Sequence, residues 1–397
     1  MNYQEQFLNL LDKFIEDAQI RFLIGDEEQF VGKKSINQAQ KPDVTIRVRD
    51  VGLFRRVLSA GNLGMGEAYM EKDFEMEQGT LQDFLTILLR NRLDRKLRAR
   101  PAMAFRILLL RLSNALQGKA SNVRRHYDIG DDLFESFLDP TLTYSCGYVK
   151  DPIDDIEKLQ FNKHERICQK LRLTEGQSLL DIGCGYGGLL IHAAKHYGIH
   201  GAGITISHNH CSRGNVNIAQ HGLSDRLRIE LSDFTRISGQ FDKIVSVGMM
   251  EHVPRRQYGL FFQTIARALI PQGMGLVHTV GANAEKNIHD PFIQKYIFPA
   301  SGQPRLSEIV EQLEIKGLAI LDVENMARHY AYTATRWLER FNMNKAALDP
   351  SKYDESFLRM WKYFFCCCIA AAKASDSALY QVLFIKDHAA ELPLHRV

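Results

Sequence analysis

Two rhythms of apolar positions alternate along the chain, one with the period of a strand and one with the period of a helix. Residues 44–48 alternate as a strand does, and residues 53–58 then turn helical. Gly61, Gly64 and Gly66 read as punctuation before a helical pattern over 81–89. Residues 102–116 predict an amphipathic helix, with Phe105, Leu108, Leu109, Leu112 and Leu116 on one side, and 118–122 a linker. From about His126 strands and helices take turns. Strands are predicted at 178–182, 201–206, 227–231, 243–247, 275–280, 319–323 and 379–385, with helices at 257–269, 306–315, 334–348 and 354–374. Such alternation predicts an α/β domain with a mostly parallel, seven-stranded sheet. The expected organisation is a small N-terminal α/β accessory domain (1–89), a connecting segment (90–125) and a main domain (126–397).

Composition changes the picture in one place. The 397 residues are 24 % charged and 45 % hydrophobic, as in a folded globular protein, and the formal net charge is only +3. That total hides a concentration. Residues 90–125 hold eleven basic residues and one acid, Asp94, whereas residues 1–89 hold ten basic and fifteen acidic. Seven cysteines form no C-x-x-C pair, so neither a zinc site nor a disulfide framework is suggested, and free thiols suit a cytoplasmic location. The Cys366-Cys367-Cys368 run, among Phe364, Phe365 and Ala370 to Ala372, reads as helix core and not as a metal site. No apolar stretch approaches the roughly 20 residues of a membrane span, and the first eighteen residues lack a signal-type apolar region. Membrane contact, if any, is expected to be peripheral.

Candidate chemistry begins at Gly183-Cys-Gly-Tyr-Gly-Gly188, a G-x-G-x-x-G pattern between a strand and a helix. Glycines there allow a tight turn and close approach of a ligand to the positive end of the helix. A nicotinamide dinucleotide site would place an acid about 20 residues on. Here that stretch is Gly203-Ile-Thr-Ile-Ser207, without a carboxylate. Asp181 instead precedes the loop in the D-x-G-x-G order of S-adenosylmethionine (SAM) sites. Asp233 and Phe234, after a third strand, suit an adenine: the carboxylate accepts from its amino group and the ring packs on the base.

Longer strings carry a resemblance. They are Arg125-His-Tyr-Asp-Ile-Gly-Asp-Asp-Leu-Phe134, Leu138-Asp-Pro-Thr-Leu-Thr-Tyr-Ser-Cys-Gly-Tyr148, Leu180-Asp-Ile-Gly-Cys-Gly185, Met250-Glu-His-Val253 and Val277-His-Thr-Val-Gly281. Asp290-Pro-Phe-Ile-Gln-Lys-Tyr-Ile-Phe-Pro299, Asp322-Val-Glu-Asn325 with His329-Tyr330, and Arg359-Met-Trp-Lys-Tyr363 follow in order. Together they resemble the cyclopropane-fatty-acyl-phospholipid synthase family, which includes the mycolic acid cyclopropane synthases. Leu63-Gly-Met-Gly-Glu-Ala-Tyr-Met70 resembles the small domain of its bacterial phospholipid members. The family commonly has Trp where this chain has Tyr186, and Gln at the ribose-contacting position where it has His210.

The resemblance implies a class I SAM-dependent methyltransferase, Rossmann-like fold. It implies transfer of a methylene group from SAM to a cis double bond of membrane phospholipid acyl chains, giving cyclopropanes. An alkene has no proton to lose beforehand, so its π electrons attack the SAM methyl directly and leave a carbocation. A base then takes a proton from the new methyl and the ring closes. That chemistry needs alignment, exclusion of water and a positioned base. The base implied is a bound bicarbonate, with Cys146, Glu251, His278, Val280 (through its backbone) and Tyr330 as its ligands. Glu251 would accept from the bicarbonate hydroxyl while His278 and Tyr330 donate. On the cofactor the resemblance places Tyr144, Ser145, Asp181, Gly183, Gly185, Thr205, Ser207, Asp233 and Phe234; Tyr144 and Tyr148 also suit stabilisation of a cation. Read without the resemblance, Cys146 is also compatible with a small buried hydrophobe and His278 with a satisfied core histidine.

For the basic segment, a solvated helix face and a nucleic-acid surface are the alternatives, and no nucleic-acid recognition motif accompanies it. Attraction to an anionic phospholipid surface suits it better, because each nearby cation gains about 1 kcal/mol there. The expected partners are therefore unsaturated phospholipid and an anionic membrane, at its inner, cytoplasmic face, with a homodimer implied by the phospholipid-acting relatives alone. Methyl-branched or methylene products, a small-molecule N- or O-methyltransferase and a non-enzymatic lipid-binding protein are the competing readings.

Overall fold

The computed structural model describes residues 2–33, 41–93, 96, 130–282, 290–299 and 301–387. It separates into two compact units that interleave along the sequence. The first comprises Met1–Gly130, Asp290–Pro299 and Asn342–Asp376; the second comprises Asp131–His289, Ala300–Phe341 and Ser377–Val397.

The first unit opens with helix α1 (Tyr3–Phe14), capped by the Asn2 side chain on the Glu5 N–H. Its Phe7, Leu10, Leu11 and Phe14 repeat at helical spacing and are buried. Strands β1 (Ile20–Ile24), β2 (Glu27–Val31) and β3 (Val44–Val48) follow, then α2 (Gly52–Ala60), α3 (Asn62–Met70), β4 (Phe74–Gln78) and α4 (Leu81–Arg90). The strands form a sheet in the order β2-β1-β3-β4, in which only β1 and β3 run parallel.

The second unit contributes α5 (Asp131–Phe137), α6 (Ile156–Leu171), β5 (Ser178–Ile182), α7 (Gly188–Tyr197), β6 (His200–Thr205), α8 (His208–Gln220), β7 (Leu227–Leu231), β8 (Phe241–Val247), α9 (Tyr258–Ala268) and β9 (Leu269–Ala282). Helix α10 (Pro291–Tyr296) returns to the first unit, and α11 (Leu306–Ile315), β10 (Ala319–Asn325) and most of α12 (Ala327–Asn344) belong to the second. Helix α13 (Glu355–Lys373) is again in the first unit, and β11 (Ser377–Ile385) completes the second. Seven strands pair in the order β10-β11-β9-β8-β5-β6-β7. All neighbours are parallel except that β11 runs antiparallel to both β9 and β10. Strand β5 reads Leu-Leu-Asp-Ile after Ser178 and is buried on both faces, as a central parallel strand between helical layers must be. Its neighbours β6 and β8 lie on either side, so the order reverses at β5. Open α/β sheets bind ligands beyond the carboxyl ends of strands at such a switch point.

The expected mostly parallel, seven-stranded α/β sheet is thus present, and the strand predictions fall within a few residues of the observed bounds. Three strands and three helices of the first unit, β1, β2, β4, α1, α3 and α10, lie outside the sequence expectations. The glycines expected to break the chain behave differently from expectation. Gly61 does turn it, with φ +60°, but Gly64 and Gly66 lie inside α3. Gly66 is there for proximity: a Cβ would sit 2.3 Å from the Phe292 ring and 2.9 Å from that of Tyr363. The triple cysteine is buried in α13, as expected of helix core. Among the described residues no group of His, Cys, Asp or Glu could hold a metal ion, and no helix is long and apolar enough to cross a membrane.

The predicted helix over 102–116 and most of the basic segment lie outside the described residues. Two cations at its start are committed within the first unit. Arg90 pairs with Asp17 at 2.5 Å, and Lys96 with Glu16 at 3.0 Å and the Phe14 carbonyl at 3.1 Å.

Candidate active site

At the carboxyl end of β5 the chain turns sharply. Gly183 has φ +82° and its N–H donates to the Ile204 carbonyl at 2.9 Å, tying the loop to β6. A Cβ on Gly183 would lie 2.7 Å from Met249, so any larger residue is excluded both by conformation and by space. Gly185 also has positive φ, and a Cβ there would meet nothing within 4 Å, so its backbone is open to a ligand. Thr205 ends β6, and its hydroxyl oxygen accepts from the Ser207 N–H at 3.1 Å. The Ser207 hydroxyl oxygen caps α8 by accepting from the His210 N–H at 3.2 Å. Each hydroxyl keeps its own proton for another acceptor. The Ser232 N–H donates to the Thr205 carbonyl at 2.9 Å, which brings Asp233 alongside. Asp233 is exposed, and its Oδ1 takes the backbone and hydroxyl of Thr235 at 2.9 and 2.6 Å. Phe234 sits differently from a ring open to stack on a base. It is buried, edge-on to Phe261, because its apolar ring completes the core beside β7.

Beneath this loop the predicted Asp181 has a charged neighbour, Lys163, that sequence reasoning missed. Asp181 is 3 % exposed, and its Oδ1 finds no hydrogen-bond partner among the described residues. Burial pushes its pKa up to about 7, against the pull of buried Lys163. Lys163, on α6, is itself 1 % exposed and donates to the Ser145 hydroxyl at 2.8 Å. Burial lowers it to about 8, opposed by Asp139, Cys146 and Asp181. One turn earlier, the Gln160 amide donates to the carbonyls of Thr143 and Ser145 at 3.2 and 2.8 Å. Two polar residues at i and i+3 thus hold the 143–146 segment from below. In the sequence they look like any solvated helix face. Tyr144 stands over the other side, its ring 5.2–5.7 Å from those of Phe134, Phe137 and Trp337.

The other predicted residues gather near the ends of β9 and β11. Cys146, Val280 and Tyr330 share one apolar cluster with Tyr148, Met326 and Leu379. Pairing of β9 with β11 sets Val280 opposite Leu379 and His278 opposite Gln381. The Met326 N–H donates to Leu379 and the Tyr330 N–H to Met326, which fixes the start of α12. Cys146 is 1 % exposed, and burial pushes its thiol up to about 12, so it is an S–H and not a nucleophile. Its sulfur lies 3.8 Å from the Thr333 hydroxyl. Glu251 follows β8, and its carboxylate accepts from the Thr279 hydroxyl at 2.8 Å. Burial raises its pKa, while neighbouring His252 and the backbone N–H of Val280 act the other way. His278 is 1 % exposed and held neutral: burial drives its pKa well down, with Lys163, Lys170 and His329 adding to the effect. The Gln381 amide nitrogen lies 3.1 Å from its Nδ1; with that nitrogen donating, Nδ1 accepts and the ring carries its proton on Nε2. That Nε2 has no partner among the described residues. A buried donor without an acceptor is costly and calls for a ligand.

Residues 114–382 match the family model described as mycolic acid cyclopropane synthetase. The chain belongs to this family. It is 38 % identical over 341 residues to cyclopropane-fatty-acyl-phospholipid synthase of Escherichia coli strain K12, covering 85 % of this chain and 87 % of that one. It is 30 % identical over 384 residues to a probable fatty acid methyltransferase of Pseudomonas putida, covering 93 % and 92 %. Among solved structures, mycolic acid cyclopropane synthase CmaA1 complexed with SAH and CTAB superposes with a TM-score of 0.62 at 28 % identity, over 67 % of this chain and 97 % of that one. Like these cyclopropane synthetases, the chain is a SAM-dependent methyltransferase.

Proposed function

We propose that this enzyme transfers a methylene group from SAM to the cis double bond of acyl chains in membrane phospholipids, forming cyclopropane fatty acids. The observation that carries the reading is the buried, neutral His278 whose Nε2–H finds no acceptor among the described residues, on the strand that also supplies Val280 and, through Thr279, a donor to Glu251. Such a set suits a small hydroxyl-bearing anion. His278 and the Tyr330 hydroxyl donate, and Glu251 accepts. Bicarbonate, when bound, supplies the base for the proton lost from the new methyl group. The Cys146 thiol, kept protonated, is no nucleophile but can donate to the same anion, and it closes the apolar wall with Val280 and Tyr330. Such a wall keeps water from a cation, and the ring of Tyr144 offers its face to one. For SAM, Gly183 and Gly185 present backbone, Thr205 and Ser207 present hydroxyls, and Asp181, Asp233, Tyr144 and Ser145 complete the site, with Phe234 backing it from the core.

Peripheral binding to an anionic membrane through residues 90–125, a cytoplasmic location and a homodimer belong to the same proposal. Vesicle flotation tests the membrane part. Equal recovery on neutral and anionic vesicles, unchanged by salt, would sink it. The reaction is tested by incubating the protein with SAM and unsaturated phospholipid vesicles and analysing the fatty acids by mass spectrometry. A gain of one CH₂ with loss of the double bond supports ring closure; a methyl-branched or methylene product would shift the reading towards the fatty acid methyltransferase relative. Glu251→Gln is expected to abolish turnover and leave SAM binding largely intact, and loss of SAM binding would show that Glu251 is misassigned.

A further inference from the structure

Tyr186 and His210, where the family commonly carries Trp and Gln, touch each other. Their rings lie 4.6 Å apart at 60°, one in the glycine loop and one in the first turn of α8. Tyr186 is 6 % exposed, and its hydroxyl reaches past the ring to donate to Asp131 Oδ1 at 2.7 Å. Asp131 opens α5. It also accepts from the Asn209 amide at 2.6 Å and from Arg213 at 2.7 Å, both on α8. Arg213 continues to Glu135 on α5, and its guanidinium stands 5.6 Å from the centre of the Tyr186 ring. One carboxylate therefore joins three pieces of chain around the cofactor loop. Burial works against its charge, but the donors on Tyr186, Arg213 and Asn209 hold its pKa below the usual range. A phenol places its donor at the far end of the ring, whereas an indole N–H lies on the ring's flank, so the bond to Asp131 belongs to Tyr at this position.

We infer that Tyr186 is a positioning residue, and that with His210, Asp131 and Arg213 it forms a latch that holds the glycine loop against α5 and α8 and thereby sets the affinity for SAM. The inference rests on the SAM reading above. The latch touches none of the residues assigned to the base, so it acts on cofactor binding and not on the proton transfer.

The test is calorimetric titration of the full-length protein with SAM, together with steady-state kinetics, for the wild type, Tyr186→Phe, Asp131→Asn, Tyr186→Trp, His210→Gln and the double variant Tyr186→Trp/His210→Gln. Removing one hydrogen bond to a charged acceptor is expected to weaken SAM binding at least about fivefold in Tyr186→Phe. KM for SAM should rise in parallel while kcat changes less than about twofold and KM for lipid stays put. Adding His210→Gln to Tyr186→Trp should recover at least about threefold of the lost affinity, the non-additivity expected of residues in contact. Asp131→Asn, which preserves size and removes the charge, should match Tyr186→Phe. Unchanged SAM affinity in Tyr186→Phe and Asp131→Asn, or effects that simply multiply in the double variant, would overturn the latch. A wild type that binds no SAM would instead overturn the SAM reading itself.

Discussion

Asp181 sits at the end of β5 as a buried carboxyl, and replacing it with Asn tests how its charge is managed. Its pKa is raised from an ordinary 3.8 to about 7, chiefly by burial, with Lys163 pulling it back. The sign follows from proton binding. Between these values the folded chain holds a proton that the unfolded chain has lost, so stability falls as pH rises and levels off above the folded pKa. With the two pKa values, this group costs about 2–3 kcal/mol between pH 5 and pH 8. Asparagine has nearly the same shape and does not titrate. Urea unfolding without SAM, at pH 5 and at pH 8, should therefore show Asp181→Asn gaining about 2–3 kcal/mol on the wild type across that interval, as an upper bound, since Lys163 loses a partner in the variant. A wild type and variant whose stabilities run parallel from pH 5 to pH 8 would refute the reasoning, because Asp181 would then be ionised throughout.

In the proposed SAM site the same carboxylate accepts more strongly once ionised, so SAM affinity is expected to rise with pH and flatten above about 7; titration calorimetry checks this, and a flat profile in the wild type would contradict it. Gln381→Leu removes the donor to His278 Nδ1 and frees the ring to carry its proton there, so kcat should fall at least about tenfold, within the share of rate that acid–base groups supply; kinetics at saturating SAM would show it, and an unchanged kcat would count against the tautomer argument. Gly66→Ala places a methyl 2.3 Å from the Phe292 ring; overpacking at about 1–3 kcal/mol outweighs a helix-propensity gain of about 1 kcal/mol, so the melting temperature should drop. Assays in buffer stripped of carbon dioxide should lose activity and regain it on adding bicarbonate, and full activity without it would remove bicarbonate from the proposal.

Much of the sheet was legible because periodicity is a local property. A buried parallel strand reads as an apolar run, and the turn after β5 demands glycine wherever it occurs. The gathering of Cys146, Val280 and Tyr330 was legible only through motifs, since no spacing in the chain reveals that they share one cluster. Lys163 and Gln160 show the limit. On a helix they look like a wet face, and only the packing of the 143–146 segment against them makes them buried. Asp131 is similar: its three donors lie 55, 78 and 82 residues away, so nothing near it in sequence discloses the contact.

The amino-acid sequence by itself determined the strands of the seven-stranded sheet, the glycine turn and the concentration of basic residues over 90–125, because each depends on neighbours a few residues apart. Tertiary structure decided how the chain is shared between units, with α10 and α13 assigned to the first although most of the sequence around them belongs to the second. It also decided which polar groups are buried, and with them the protonation of Asp181, His278 and Cys146. Ionisation depends on who surrounds a group and how much water is left, and distant segments supply both.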